Sequence, residues 1–518
     1  MNHAEQMSPA RSTMLTIFLI VFGLEMIGGV YVGYFKDLRM VDAFARTANA
    51  FYVLFVDPPR FASIGLIWNP LPSITQLPFV VLAGIWKPLV THGIAAAVAT
   101  SLFAAGSAVI LFRTFCRFNI DKKFIAILLT LYLSHPFIFY YGFNGMSEGF
   151  FFFFMIYAVS YMTLWISEGS PDYIIHMAFA LALAFFCRYE AIPLAAALGI
   201  GVLIVIFFSP REKKFIPVND RKEKYFYAEG TALILYTPFV FSIFLWILFN
   251  WVISGNPLYF ANSSYSNSSY QTISPMSTTA PWESLVYAAG KLTSFIPLFI
   301  GIVAVRIMNR SLFKYDFYVL LSLVLAMLGF HYAMLITGSS WGWLRFFSYV
   351  LPIAFAWLPY ELAQPAKDQF TRKLTPIILI VSLTISWGAA CNVLADPQKS
   401  LEEHSLNNTT DESRRIAGYI NDNLVDSKLL TDSFATGEIL VNLNGMSNVI
   451  TSASLDFSDI IENPRKYEIE YILLANPQLG TGALDALNQQ YPGLYSGQED
   501  WCAQEKVFES FKLFKVIY

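Results

Sequence analysis

Apolar residues in this 518-residue chain fall in long unbroken runs, not in the short alternations of a soluble domain. A run of about 20 apolar residues crosses the hydrocarbon layer as a helix, and shorter runs do not. That rule predicts about eleven transmembrane helices, near 13–33, 93–112, 124–140, 149–166, 171–188, 190–208, 229–252, 284–304, 316–337, 346–363 and 375–392. The first run follows Arg11 and superficially resembles a secretory leader. It is longer than an h-region and no small-residue cleavage site follows, so it reads as a retained helix.

The polar connections add a direction. Segments 113–123, 209–226, 305–315 and 364–374 carry 4, 6, 3 and 3 Lys or Arg, whereas 134–148 and 253–283 carry none. Basic loops stay on the cytoplasmic side. The N-terminus is therefore expected inside, and the tail outside, as in the inner membrane of a bacterium. The apolar stretch Ile74–Trp86 is short and flanked by Pro72, Pro78 and Pro88, which makes it an interfacial or re-entrant part of a large first external loop, 34–92.

Near residue 395 the pattern changes. The remainder carries 19 Asp or Glu against 9 Lys or Arg, with a helical pattern at Glu412–Leu424 and strand patterns at Lys428–Asp432, Asn448–Ser452 and Glu470–Ala475. A second helix at Leu484–Gln490 and a strand pair near Val507–Tyr518 complete it. The expected fold class is thus an all-α polytopic membrane domain over 1–393 followed by a small external, periplasmic α/β domain over 394–518.

Composition agrees with that frame and excludes others. Only 14% of residues are charged, against roughly 25% in an average soluble domain. Net charge is −3, so no excess of Lys and Arg is present to neutralise nucleic-acid phosphates. Cys116, Cys187, Cys391 and Cys502 show no CxxC or metal spacing.

Ionisable groups are costly at membrane depth, so those that persist are candidates for function. On the predicted topology they gather at the external helix ends: Asp37 and Asp42 after the first helix, His135, Asn144 and Glu148 between the third and fourth, Arg188 and Glu190 after the fifth, and Arg345 before the tenth. Each has a plain structural reading as well. Asp42 and Arg46 have the i, i+4 spacing of a helix-surface pair, Arg188 and Glu190 can simply flank a helix end, and Arg345 can reach toward headgroups. Their convergence on one face favours chemistry. Arginine binds phosphate bidentately and keeps its charge in a low dielectric, and a carboxylate beside it can act as general base on a hydroxyl. A substrate that is both lipid and anion fits such a surface.

The motifs Asp42-Ala-Phe-Ala-Arg46 and Ile64-Gly-Leu-Ile-Trp68-Asn-Pro-Leu-Pro72 resemble the first external loop of GT-C glycosyltransferases, polytopic enzymes that use polyprenyl-phosphate sugars. Asn144-Gly-Met-Ser-Glu148, Cys187-Arg-Tyr-Glu-Ala191 and Trp343-Leu-Arg-Phe-Phe347 resemble the external helix ends of that family. The resemblance implies an inverting transferase with Asp42 as the base on the acceptor hydroxyl and Asp37 as its alternate. It further implies that Arg188 and Arg345 hold the donor phosphate. Glu148, Glu190, Asn144, His135, Trp68 and Asn69 then contact the sugar or acceptor or fix those arginines. The implied partners are a polyprenyl-phosphate-linked sugar donor, a glycan, lipid or protein acceptor, and membrane lipid, with no nucleic acid. The first loop lacks the adjacent Asp-Glu pair, and no Asp-x-Asp that would accompany a metal in this family follows the first helix, so no cofactor is implied and a divalent metal, though compatible with the resemblance, is not indicated. The alternative reading is a transporter or flippase for a lipid-linked or anionic substrate, which predicts broken helices and internal repeats.

Overall fold

A computed structural model of the chain describes residues 9–210, 221–263, 279–395, 406–408, 411–454 and 456–518. Contacts divide it into two compact units. One consists of Met1–Gly28, Ala99–Ala261 and Asn267–Ser405, and the other of Gly29–Val98, Asn262–Ser266 and Leu406–Tyr518.

The first unit is helical. Its chain starts with α1 (Arg11–Val30), which runs on as a π-turn, Tyr31–Phe35, into the second unit, where α2 (Val41–Phe55) lies. There follow α3 (Ile94–Arg117), α4 (Lys122–Leu133), α5 (Pro136–Phe143), α6 (Ser147–Glu168), α7 (Pro171–Phe185) and α8 (Ala191–Phe208). The remaining helices of this unit are α9 (Arg221–Ser254), α10 (Pro281–Lys291), α11 (Pro297–Met308), α12 (Tyr315–Ile336), α13 (Val350–Leu362) and α14 (Gln369–Ala395). Among the described residues seven helices are long and apolar enough to cross a membrane, so the chain is an integral membrane protein. Two further crossings result if each bent pair, α4 with α5 (71°) and Pro281–Ser294 with α11 (85°), counts as one span. Prolines at the first position of α5 and α11 explain the breaks, because proline starts a helix readily but cannot continue one.

By length and composition, then, seven to nine helices among the described residues qualify as spans, and the expected count of eleven is not confirmed. The two expected spans that fall short are α7 and α13, with 15 and 13 residues. At 1.5 Å per residue they reach roughly 22 and 20 Å, less than the apolar thickness of a bilayer. The missing turns are occupied by other structure: residues 187–190 form the turn between α7 and α8, and Leu344–Phe347 is a 3₁₀ turn ahead of α13.

One buried set of charges inside the bundle is paired. Arg306 of α11 bonds Asp316 of α12 (2.9 Å) and Glu361 of α13 (2.6 Å), and Tyr360 donates to Asp316 at 3.0 Å. These residues are almost fully buried, so the cluster locks three helix ends together.

The second unit joins the first loop to the tail. Strand β1 (Leu38–Met40) pairs antiparallel with β2 (Leu406–Asn408). The tail continues with α15 (Asp411–Asn423), β3 (Leu429–Thr431), α16 (Ser433–Leu440), β4 (Val449–Ile450), β5 (Tyr471–Ala475), β6 (Cys502–Val507) and β7 (Phe511–Val516). A five-stranded sheet in the order β4-β3-β5-β7-β6 is parallel across its first three strands and antiparallel beyond. Successive strand residues face opposite sides. Leu473 of β5 accordingly joins a core with Ile416, Ile420 and Leu440, while Ile472 and Leu474 join another with Ile460, Leu487 and Phe514. The first core also takes Phe44, Ala48, Phe51 and Tyr52 of α2, so the loop helix is part of the α/β domain's interior. The stretch around 74–86 forms single helical turns interrupted by prolines, with Val80 and Ala83 buried and Val81, Leu82, Ile85 and Trp86 exposed.

Where β3 ends, Asp432 caps α16 through the Phe434 N–H, and fully buried Asp485 caps the turn Ala486–Gln490 through Leu487 and Asn488. The other carboxyl oxygen of Asp485 has no hydrogen-bond partner among the described residues. Burial, assisted by the nearby Asp432 carboxylate, pushes the Asp485 pKa up from 3.8 to about 7. The folded state thus keeps a proton that the unfolded chain releases near its lower pKa, and this contribution to stability is present below about pH 4 and is lost by about pH 7. Asp485→Asn retains the capping oxygen without the charge. Its unfolding midpoint in urea, minus that of wild type, should grow steadily from about pH 4 to 7; a constant difference would contradict the raised pKa.

Candidate functional site

Four of the sequence candidates meet in the helical unit. Chain direction there is set by Asn144, whose side chain accepts from the Met146 N–H at 3.0 Å, and by Gly145 in the left-handed region, φ 77°. Helix α6 can then start against α5, because Gly149 has no side chain. A Cβ there would lie 2.4 Å from the Tyr141 carbonyl oxygen. This seating puts Glu148 in the first turn of α6 with no exposure.

Arg188, from the turn between α7 and α8, reaches Glu148 at 2.7 Å, donates to Ser147 Oγ at 2.8 Å and bonds Glu190. Arg345, in the 3₁₀ turn before α13, approaches the same Glu148 oxygen at 3.4 Å. Its guanidinium lies 4.0 Å from the Trp343 ring centroid and 5.3 Å from that of Phe346, a stacking that suits a desolvated arginine. Tyr349 Oη donates to Glu190 at 3.4 Å. His331 of α12 stacks against both Phe346 (5.2 Å) and Tyr349 (5.4 Å) and is 4% exposed. The cluster holds two arginines and two carboxylates. Such a set pays its desolvation cost only through mutual contact. Arg188 retains an Nε–H, and His331 an Nε2, without a hydrogen-bond partner among the described residues. Buried polar atoms are nearly always bonded, so these atoms mark a position suited to a polar ligand.

His331, Tyr349 and Ser147 were not singled out by the sequence reading. His331 had a signal, as an isolated ionisable residue within an apolar helix. Tyr349 and Ser147 had none, since their role depends on which helix ends meet.

His135 has a different setting. It is fully buried at the break between α4 and α5, with Nε2 3.3 Å from Ser386 Oγ of α14, which itself donates to the Ser294 carbonyl at 2.6 Å. Its ring also faces Phe295, so both bent helix pairs break around this histidine.

The remaining candidates belong to the second unit. Asp42 is in the first turn of α2 and half-buried. One turn on, Arg46 donates to the Asn69 carbonyl at 3.2 Å and lies 5.1 Å from the Trp68 ring centroid, which draws 68–69 against the start of α2. Asn69 is buried and Trp68 half-buried. Asp37 sits in the left-handed region, φ 52°, and pairs with Arg414 of α15, with His92 Nε2 at 3.9 Å. Burial lowers the His92 pKa, with the Asp37 carboxylate opposing it. Among the described residues no three His, Cys, Asp or Glu side chains gather to hold a metal ion.

The structure is similar to that of ArnT from Cupriavidus metallidurans bound to undecaprenyl phosphate, with a TM-score of 0.54 and 11% identity over 98% of this chain and 98% of that one. A weaker similarity, TM-score 0.45 and 11% identity, links 90% of this chain with 70% of the oligosaccharyltransferase AglB from Archaeoglobus fulgidus in complex with an inhibitory peptide and a dolichol-phosphate. That score is too low to bear on the site. No protein-family model matches the chain, and no curated protein matches it. The ArnT similarity establishes the fold alone: the chain has the architecture of that protein.

Burial ranks the ion pairs of this unit by cost. Glu148→Leu removes the carboxylate that both Arg188 and Arg345 reach and should destabilise the protein by about 3–5 kcal/mol. Glu168→Gln breaks the more exposed Arg117–Glu168 pair and should cost less than about 1 kcal/mol. Denaturant unfolding in detergent checks both, and equal losses would contradict the ranking.

Proposed function

We propose that this protein is a membrane glycosyltransferase that moves a sugar from a polyprenyl-phosphate donor to an acceptor hydroxyl with inversion. The observation that carries this reading is the convergence of Arg188 and Arg345 on Glu148 at buried helix ends, in a fold shared with ArnT bound to undecaprenyl phosphate. Two guanidiniums in an apolar surround provide charge for the phosphate and for the negative charge that grows on it as the sugar leaves. Glu148 and Glu190 orient those arginines, and the open Nε–H of Arg188 is a donor for a phosphate oxygen.

In the reaction, Asp42 takes the proton of the acceptor hydroxyl as its oxygen bonds to the anomeric carbon. The bond from that carbon to the phosphate oxygen breaks, and its electron pair leaves with the polyprenyl phosphate. Attack opposite the leaving group inverts the anomeric centre. Trp68 and Asn69 line the sugar side of Asp42, while Asp37, engaged by Arg414, is the less favoured base. The basic loops put the N-terminus in the cytoplasm and the tail in the periplasm, where the acceptor is a glycan, a lipid or a protein.

One observation favours the transporter or flippase reading, namely the two broken helix pairs around His135. A single assay separates the two. Purified protein in liposomes is given radiolabelled polyprenyl-phosphate sugars and a membrane extract. Transfer to an acceptor is expected, and Asp42→Asn should lower its rate by roughly 10²–10⁴-fold. Equal transfer by both proteins removes Asp42 from the chemistry, and labelled donor crossing the bilayer without transfer supports the transporter.

A further inference from the structure

We infer that the α/β tail is the seat that positions Asp42, and that it acts on the rate of transfer through α2. The inference rests on the glycosyltransferase reading, because it gives the tail a role through the proposed base.

Three sets of contacts, all within the second unit, carry it. Immediately before α2, β1 pairs residue by residue with β2, so the chain entering the helix is held by the segment that leads into the tail. Beside it, Asp37 is bound by Arg414 of α15, and Arg39 lies 3.6 Å from Glu438 of α16, with its guanidinium 4.5 Å from the Phe44 ring centroid. Along α2, Phe44, Ala48, Phe51 and Tyr52 recur at the spacing of one helix face and enter the same core as Ile416, Ile420, Leu440, Leu473 and Leu513. Asp42 stands between the paired strand and this buried face. Both its height along the helix axis and its rotation about that axis are therefore set by the tail.

The fit between α2 and α16 is close at Gly437. A Cβ at that position would lie 3.4 Å from Tyr52 Oη and 3.7 Å from Phe44 Cε1, so it would already touch both side chains and a longer, branched side chain would press against α2. Proper placement matters for a general base, because a shift of about 1 Å costs roughly a hundredfold in rate. A tail that only bound the acceptor would have no use for this arrangement. Its loss would weaken acceptor binding and leave the chemical step intact.

Gly437→Leu tests the inference in the full-length protein in lipid nanodiscs. The leucine forces α2 away from α16, and Tyr52→Ala in the same chain reopens the space. Amide hydrogen exchange by mass spectrometry reports on α2 and, separately, on β3 and β5. Steady-state transfer reports kcat and the KM of donor and acceptor. The expected result for Gly437→Leu is faster exchange over residues 42–55 with β3 and β5 still protected, a fall in kcat of about a hundredfold, and unchanged KM values. The double variant should recover both protection and kcat. Faster α2 exchange with kcat retained overturns the inference, as does a rise in acceptor KM with kcat retained, or α2 protection unaffected by the leucine. Loss of protection in β3 and β5 as well marks a folding defect, and failure of Tyr52→Ala to rescue it then counts against a local seat. Wild-type protein that transfers no sugar from any donor defeats the glycosyltransferase reading itself, a result distinct from the others.

Discussion

A charge removed from water must meet an opposite charge, and most of what is specific about the helical unit follows from that. Its helices are apolar over long stretches, so any helix would pack against many others. Few arrangements, however, bring Arg188 and Arg345 to one carboxylate while Glu190 reaches Arg188, or bring Arg306 to Asp316 and Glu361. Each cluster draws residues from at least three separate segments. Buried ion pairs add little net stability over apolar packing, yet a broken one is expensive. They therefore select among packings that apolar contacts alone leave equivalent.

The same arginines that fix the packing are the groups suited to a lipid phosphate. The four formal charges cancel, and the carboxylates hold the guanidiniums in place. Preorganised donors of this kind stabilise charge as it develops without having to move first. His331, stacked between Phe346 and Tyr349, extends the polar wall into α12. Under the proposed function, structure and chemistry rely on one set of residues, and a substitution at Glu148 touches both.

In the second unit the constraint is of another kind. Three residues of β1 and the fifteen of α2 cannot bury a core alone. They find one in the tail, on the face of the sheet that presents Leu473 and Leu513. The other face is closed by the tail's own Ile460, Leu487 and Phe514. A loop from the start of the chain thereby becomes a layer of the domain at its end.

The sequence by itself determined the apolar runs, and hence the places of the membrane helices, because burial in lipid demands length and composition that are local properties. It also showed most of the tail: helix Asp411–Asn423 and strands Leu429–Thr431 and Tyr471–Ala475 fall where the periodicity put them, and the last hairpin begins at Cys502, a few residues ahead of the expected pair. Glu148, Arg188, Glu190 and Arg345 were legible as charges at helix ends. Their convergence on Glu148 was not, since it is set by how α6, α7, α8 and α13 pack. The short helices α7 and α13 lie within longer apolar runs, and hydropathy does not register where a turn interrupts a run. Only the tertiary structure decided that β1 is a strand at all, since Leu38–Met40 has no pattern of its own and pairs with residues brought from 406–408. It also decided that Asp37 belongs to Arg414 and His135 to the broken helices, because partners so distant along the chain leave no trace in local sequence.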